Sequence, residues 1–125
     1  PSTAPRPGPT QRTWWTLVDR PGEGYLETSA SALFAYSLAR GWRYGQVDHA
    51  ALPAIERAIV GLGGRIVDDA AGRPVVRGIS GPTLPGTRAS YLAVPLVDDR
   101  PYGVGAVILA LVESSGLPAG PPAGE

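Results

Sequence analysis

Trp14-Trp15-Thr16-Leu17-Val18-Asp19-Arg20-Pro21-Gly22, continuing through Tyr25-Leu26-Glu27-Thr28-Ser29-Ala30-Ser31-Ala32-Leu33-Phe34-Ala35-Tyr36, decides how this chain is read. A polar, aromatic-rich loop feeds straight into a helical segment that is apolar on nearly every side. Such a helix has no face suited to water and needs other helices around it. The 125 residues do not provide enough of them. The expectation is the end of a larger protein, whose function would be that of the parent.

Working outward, three helices are expected between two proline-rich ends. The first spans about Glu27 to Ala39. Thr28 or Ser29 is placed to cap it, and Gly41 suits a left-handed residue that ends it. The second spans about His49 to Leu62, capped by Asp48. Leu52, Ile55, Ile59 and Leu62 recur at helical spacing there, with Glu56 and Arg57 pointing elsewhere. The third starts near Pro101 and carries the apolar body Val104 to Val112, with Gly116 marking its stop. The β-branched runs Arg65 to Asp69 and Arg73 to Ile79, around Ala70-Ala71-Gly72, predict a small rim hairpin. Gly78 to Pro95 reads as a loop. Residues 1–11 read as a disordered lead-in, 12–115 as the structured portion and 116–125 as a disordered tail.

Composition excludes several classes. Eleven basic and eleven acidic side chains cancel, and all the basic ones are arginine. No field of one sign draws nucleic acid or an anionic membrane. No apolar run reaches the roughly 20 residues that cross a bilayer. Cysteine is absent, which removes disulfides, thiol nucleophiles and thiolate metal sites. His49 is the only histidine and has no cluster of carboxylates beside it, so no metal site is expected. Gly61-Leu62-Gly63-Gly64 follows a helix rather than a strand and is not a phosphate loop. Ser80 in Gly78-Ile79-Ser80-Gly81 is not a nucleophile elbow. No cofactor is expected.

Three blocks in order carry a family resemblance. They are the opening stretch, then Arg77-Gly78-Ile79-Ser80-Gly81 with Ser90-Tyr91, then Asp98-Asp99-Arg100-Pro101-Tyr102-Gly103-Val104-Gly105-Ala106 with Ile108-Leu109-Ala110. From about Trp14 to Glu113 the chain resembles the unsaturated rhamnogalacturonyl and unsaturated glucuronyl hydrolases of glycoside hydrolase families 105 and 88. The resemblance implies an all-α fold, the C-terminal part of an (α/α)6 toroid with about three helices and a small rim hairpin. Inner helices of such a ring are enclosed and outer ones keep a solvated face. The alternation seen here, buried helix, amphipathic helix, hairpin, buried helix, fits that arrangement.

The implied activity removes a 4,5-unsaturated uronic acid from pectin-derived rhamnogalacturonan oligosaccharides. An aspartic acid protonates the double bond, water adds across it, and the resulting hemiketal opens. That aspartate lies upstream in the family, so no catalytic residue is expected in this chain. The segment alone is expected to be inactive without the missing N-terminal barrel helices. The resemblance also implies a cytoplasmic enzyme. An alternative is a non-catalytic helical module that binds carbohydrate or protein through an exposed apolar face.

Substrate-binding candidates are Trp14, Trp15, Thr16, Glu27 and Tyr91. An indole face packs well on the C–H groups of a sugar ring. Two adjacent tryptophans cannot both enter one core, and the resemblance favours Trp14 for the site. Thr16 stands where the family often has glutamine. Glu27, at the mouth of a buried helix, is expected to hold its own helix start or a neighbouring loop through charge-assisted hydrogen bonds. Asp98 and Asp99 are expected to cap the third helix, and Asp68 and Asp69 to lie in solvent at a turn.

Overall fold

The protein is described over residues 13–117 by a computed structural model. The expected lead-in, residues 1–11, and the tail beyond residue 117 lie outside the described residues. The elements run α1 (Thr28–Arg43), a 3-10 turn (His49–Ala51), α2 (Leu52–Gly63), β1 (Ile66–Asp68) and β2 (Pro74–Val76). They continue with β3 (Ile79–Ser80), α3 (Arg88–Leu92), β4 (Leu96–Val97) and α4 (Pro101–Ser114). The described part is predominantly helical, with two small two-stranded sheets.

Helix α1 begins because Glu27, in extended backbone, turns its carboxylate back onto the Ser29 and Ala30 amides. These are two of the donors that a helix start leaves without intrahelical partners. The cap is therefore Glu27, ahead of the expected Thr28 or Ser29. Thr28 turns away instead, donating from Oγ1 to the Arg77 carbonyl at 2.6 Å. The helix also runs past Gly41, which is buried within it. A Cβ at Gly41 would sit 2.9 Å from Val47 Cγ1. The residue is small to let the returning chain close, and its carbonyl accepts from the Gln46 and Val47 amides. The left-handed residue that ends the turn is Gly45, at φ 69°.

α1 packs chiefly on α4 and then on α2. The main core gathers Ala32 and Ala35 of α1, Ala58 and Leu62 of α2, and Ala106, Val107 and Ala110 of α4, together with Trp14, Val76 and Ile79. Alanines at these positions let helix backbones approach closely. A second cluster of Ala39, Trp42 and Ile55 closes the other end. Asp48 caps the 3-10 turn by accepting from the Ala50 amide at 2.7 Å, and α2 continues from it as an amphipathic helix.

The rim hairpin forms as expected, with Ile66 opposite Val76 and Asp68 opposite Pro74. A second pairing was not legible in the loop: Ile79 lies opposite Val97 and Ser80 opposite Leu96, antiparallel. The short α3 also sits within that expected loop, capped by Thr87, which accepts from the Ser90 amide. Asp99 does not cap α4. The cap position is Arg100, without a side-chain bond, and Pro101 opens the helix. Asp99 adopts φ 52° and grips β2 instead. Its Oδ1 accepts from the Val76 amide at 2.7 Å and its own amide donates to the Val76 carbonyl at 3.0 Å.

The first turn of α4 meets β3 without clearance. A Cβ at Gly103 would lie 2.5 Å from Ile79 Cδ1 and 2.7 Å from both Cγ atoms. The outer side of α4 is bare. Ile108 is 55% exposed and Val112 67%, with Leu109 also exposed. Gly105, Ile108, Leu109 and Val112 recur at helical spacing and share one face. Leu33 of α1 is exposed as well.

Candidate active-site cleft

Position 27 organises the site. The Glu27 side chain is only 4% exposed, which carboxylates tolerate only when hydrogen-bonded. Its Oε1 accepts from the Ser29 amide at 3.0 Å, from Ser29 Oγ, and from the Ser80 amide at 2.8 Å. Its Oε2 accepts from the Ala30 amide. One carboxylate thus caps α1 and anchors β3, which is 53 residues away in sequence. Both roles anticipated for it, holding its own helix and holding a neighbouring loop, are present together.

Ser80 is the second node. Its Oγ lies 3.1 Å from the Tyr25 hydroxyl and 3.3 Å from Thr83 Oγ1. Its carbonyl accepts from the Tyr102 hydroxyl at 2.6 Å. Around these residues opens a cleft of about 660 Å³, lined by Thr16, Glu27, Ser29, Ala30, Ser80, Gly81, Pro82, Thr83 and Tyr102. The lining combines hydroxyls, one carboxylate and an aromatic ring. It can hydrogen-bond a polyhydroxylated ligand and offers no side-chain cation.

The aromatic loop is held by a bridge between Trp15 and Leu26 and by the Glu27 amide, which donates to the Trp14 carbonyl at 2.9 Å. Extended backbone alternates its side chains, so the two tryptophans part. Trp14 enters the core at 2% exposure, edge-on to Phe34 with ring centroids 5.3 Å apart. Its amide donates to Ser31 Oγ at 2.8 Å. Trp14, which the resemblance favours as the sugar platform, is a core residue here. Trp15 is half-buried and lies outside the cleft lining.

Thr16 does reach the cleft, and its amide donates to the Tyr25 carbonyl at 2.9 Å. Tyr91 does not. Its hydroxyl accepts from the Gly86 amide at 3.1 Å and fastens its own loop. That loop docks on the aromatic loop through Arg88, 2.5 Å from Glu23, and through Leu92. A Cβ at Gly24 would come within 2.9 Å of both Leu92 and Thr16.

Asp69 is less free than expected. It accepts from the Ala71 and Arg73 amides at 2.8 and 3.0 Å. The Arg73 amide bond is the main influence that lowers its pKa below the usual 3.8; desolvation opposes it, and the Ala71 amide and the Arg73 side chain lower it further. His49 stands against the Trp42 ring at 5.4 Å. Among the described residues, no three His, Asp, Glu or Cys side chains gather around a point that would hold a metal. No described helix is long and apolar enough to cross a membrane.

Ser80, Tyr102 and Tyr25 join the site without having been expected there. Tyr102 had a usable signal, a tyrosine in the first helical turn directly after Pro101.

Residues 9–117 match the family model of Glycosyl Hydrolase Family 88. The chain belongs to that family. This family 88 chain is similar to Protein Atu3128 of Agrobacterium fabrum (strain C58 / ATCC 33970) and to the 24.9 kDa protein in the picA locus of Rhizobium radiobacter. Each is 36% identical over 117 residues, which takes in 81% of this chain and 50% of the relative. The chain thus spans half the length of these curated relatives.

Solved structures agree with the family. A family 105 glycoside hydrolase of C. acetobutylicum ATCC 824 superposes with TM-score 0.72 at 27% identity, over 81% of this chain and 31% of that one. A possible member of the GH105 family from Klebsiella pneumoniae gives 0.71 at 34%, over 81% and 25%. One from Salmonella enterica serovar Paratyphi A gives 0.74 at 31%, over 86% and 27%. The family 88 chain therefore shares the fold of one part of these longer proteins.

Proposed function

We propose that this chain is the C-terminal portion of an (α/α)6 glycoside hydrolase that removes 4,5-unsaturated uronic acid from rhamnogalacturonan oligosaccharides by hydrating the double bond. The observation that carries this reading is the hydroxyl-lined cleft built on buried Glu27, in a chain that matches its family over residues 9–117. Thr16, Glu27, Ser80 and Tyr102 line the substrate cleft. The acid that protonates the double bond comes from helices upstream of this segment. Those same helices cover the bare face at Gly105, Ile108, Leu109 and Val112, an apolar stripe of the kind that soluble proteins seldom leave in water. The parent enzyme acts in the cytoplasm.

The test follows the conjugated absorbance of an unsaturated rhamnogalacturonan disaccharide. The chain alone is expected to leave it unchanged. The chain joined behind the upstream helices of a longer family member is expected to consume it. Turnover by the isolated chain overturns the shared-barrel reading. Faster turnover of an unsaturated glucuronyl disaccharide overturns the pectin assignment and keeps the enzyme class.

The second reading, a non-catalytic module that binds a protein or carbohydrate partner, draws on the same exposed stripe. It predicts that the joined protein is inactive on every unsaturated uronide.

A further inference from the structure

We infer that the cleft at Glu27 is a subsite for an uncharged sugar, and that Glu27 is the residue that sets this specificity by excluding anionic rings. The inference rests on the glycosidase reading above and adds which end of the substrate lies here.

A carboxylate offers about four acceptor positions, shared between two oxygens. Three of the donors to Glu27 converge on Oε1, from the Ser29 amide, the Ser29 hydroxyl and the Ser80 amide. Oε2 receives the Ala30 amide and keeps room for a further donor. Glu27 lines the cleft, so a sugar hydroxyl entering it finds a fixed acceptor.

The charge balance of the walls decides which sugar enters. The lining includes no arginine, and the rest of its polar side chains are hydroxyls of Thr16, Ser29, Ser80, Thr83 and Tyr102. Arg88 of the neighbouring loop is held by Glu23 at 2.5 Å, and Arg65, whose guanidinium would lie 3.0 Å from a Cβ at Gly78, is not part of the lining. A uronate or sulfated ring in the cleft would bring a second negative charge beside a buried first one with no cation between them. Like charges a few ångströms apart repel at intermediate dielectric, so discrimination of at least about tenfold is expected. A neutral ring meets only acceptors and hydroxyls. The unsaturated uronate of the substrate must then find its cation elsewhere in the complete barrel, and this cleft takes the sugar on the leaving-group side.

The experiment titrates the isotope-labelled 125-residue chain with methyl α-rhamnoside and, separately, with the methyl glycoside of galacturonic acid at neutral pH. The amide resonances of Ser29, Ala30, Ser80 and Gly81 are followed by NMR. The neutral glycoside is expected to move them at a concentration at least about tenfold lower than the uronate. In Glu27→Gln, which keeps an acceptor oxygen and loses the charge, the ratio is expected to fall toward one. Equal or tighter binding of the uronate by the native chain overturns the inference and leaves the glycosidase reading standing. Silence of these amides with both sugars overturns the subsite and the sugar-cleft reading together. Full discrimination retained in a folded Glu27→Gln removes Glu27 from the role. The native titration decides the matter even where that variant does not fold.

Discussion

Replacing Glu27 by alanine tests the structural argument at its most loaded point. The side chain accepts four hydrogen bonds, from the Ser29 and Ala30 amides, the Ser29 hydroxyl and the Ser80 amide. Loss of a helix N-cap costs about 0.5–2 kcal/mol. The Ser80 amide is left facing a cavity, which adds roughly 1–3 kcal/mol for a buried donor without a partner. The sum for Glu27→Ala is about 1.5–5 kcal/mol. Glu27→Gln keeps one acceptor oxygen and is expected to cost roughly half of that, since hydrogen bonds to a charged group are the stronger ones. Urea unfolding followed by tryptophan fluorescence gives both values, because Trp14 and Trp42 are buried and report loss of the core. The midpoint should fall for both variants with the slope unchanged. An alanine variant as stable as the native chain, or a glutamine variant hurt as badly as alanine, would refute the claim that one carboxylate ties α1 to β3.

Gly103→Ala places a methyl within 2.5 Å of Ile79 Cδ1. Overpacking of about 1–3 kcal/mol should exceed the gain of about 1 kcal/mol in helix propensity, and a double-mutant cycle with Ile79→Ala should show the two coupled. Asp99→Ala removes the bond to the Val76 amide and should cost about 1–2 kcal/mol in urea unfolding, whereas mutation of Asp98, with no such bond, should not. The Asp69 carboxyl titrates below 3.8, so its contribution to the hairpin is complete above the ordinary aspartate range and disappears as pH falls through the lowered value. Acid titration by NMR should release the Ala71 and Arg73 amides together, and Asp69→Asn should abolish that step. Val112→Glu should leave the stability of the isolated chain within about 0.5 kcal/mol, yet should abolish activity in the joined protein.

Much of the fold was legible because its signals are local. The apolar bodies of α1 and α4, the spacing Leu52, Ile55, Ile59, Leu62, and the turn at Gly72 lie each within one element. What escaped depends on distant partners. Residues 78–95 read as a loop because Gly81, Pro82, Pro85 and Gly86 interrupt every period, while the strand at Ile79 exists only through Val97. Asp99 lay where a cap belongs, and nothing near it in sequence names Val76. The site divides the same way. Glu27 was singled out from the helix start beside it and Thr16 through the family resemblance, and Ser80 joins only because the Glu27 carboxylate reaches its amide. Trp14 and Trp15 could not be ordered before the bridge to Leu26 fixed which of them faces inward.

The two ends of α1 divide the labour of the molecule. Its start is bound to β3 by Glu27, and its last turn is bound to the end of α4. There Arg40 and Arg43 lie 3.6 Å from the Glu113 carboxylate, and Arg43 donates to the Glu113 and Ser115 carbonyls at 2.6 and 3.0 Å. Exposed ion pairs contribute little by themselves, but a guanidinium on the last carbonyls of a helix also satisfies groups that the helix leaves open. Between these clamps the helices meet through alanine, whose short side chain leaves little room for sliding. α1 and α4 thus form one stiff pair, with the cleft at one end and Ile108, Leu109 and Val112 bare along its flank. A pair held this firmly does not collapse to hide its apolar side. The stripe therefore stays in position for other helices to pack on, and whatever packs there inherits a cleft whose geometry is already set by Glu27.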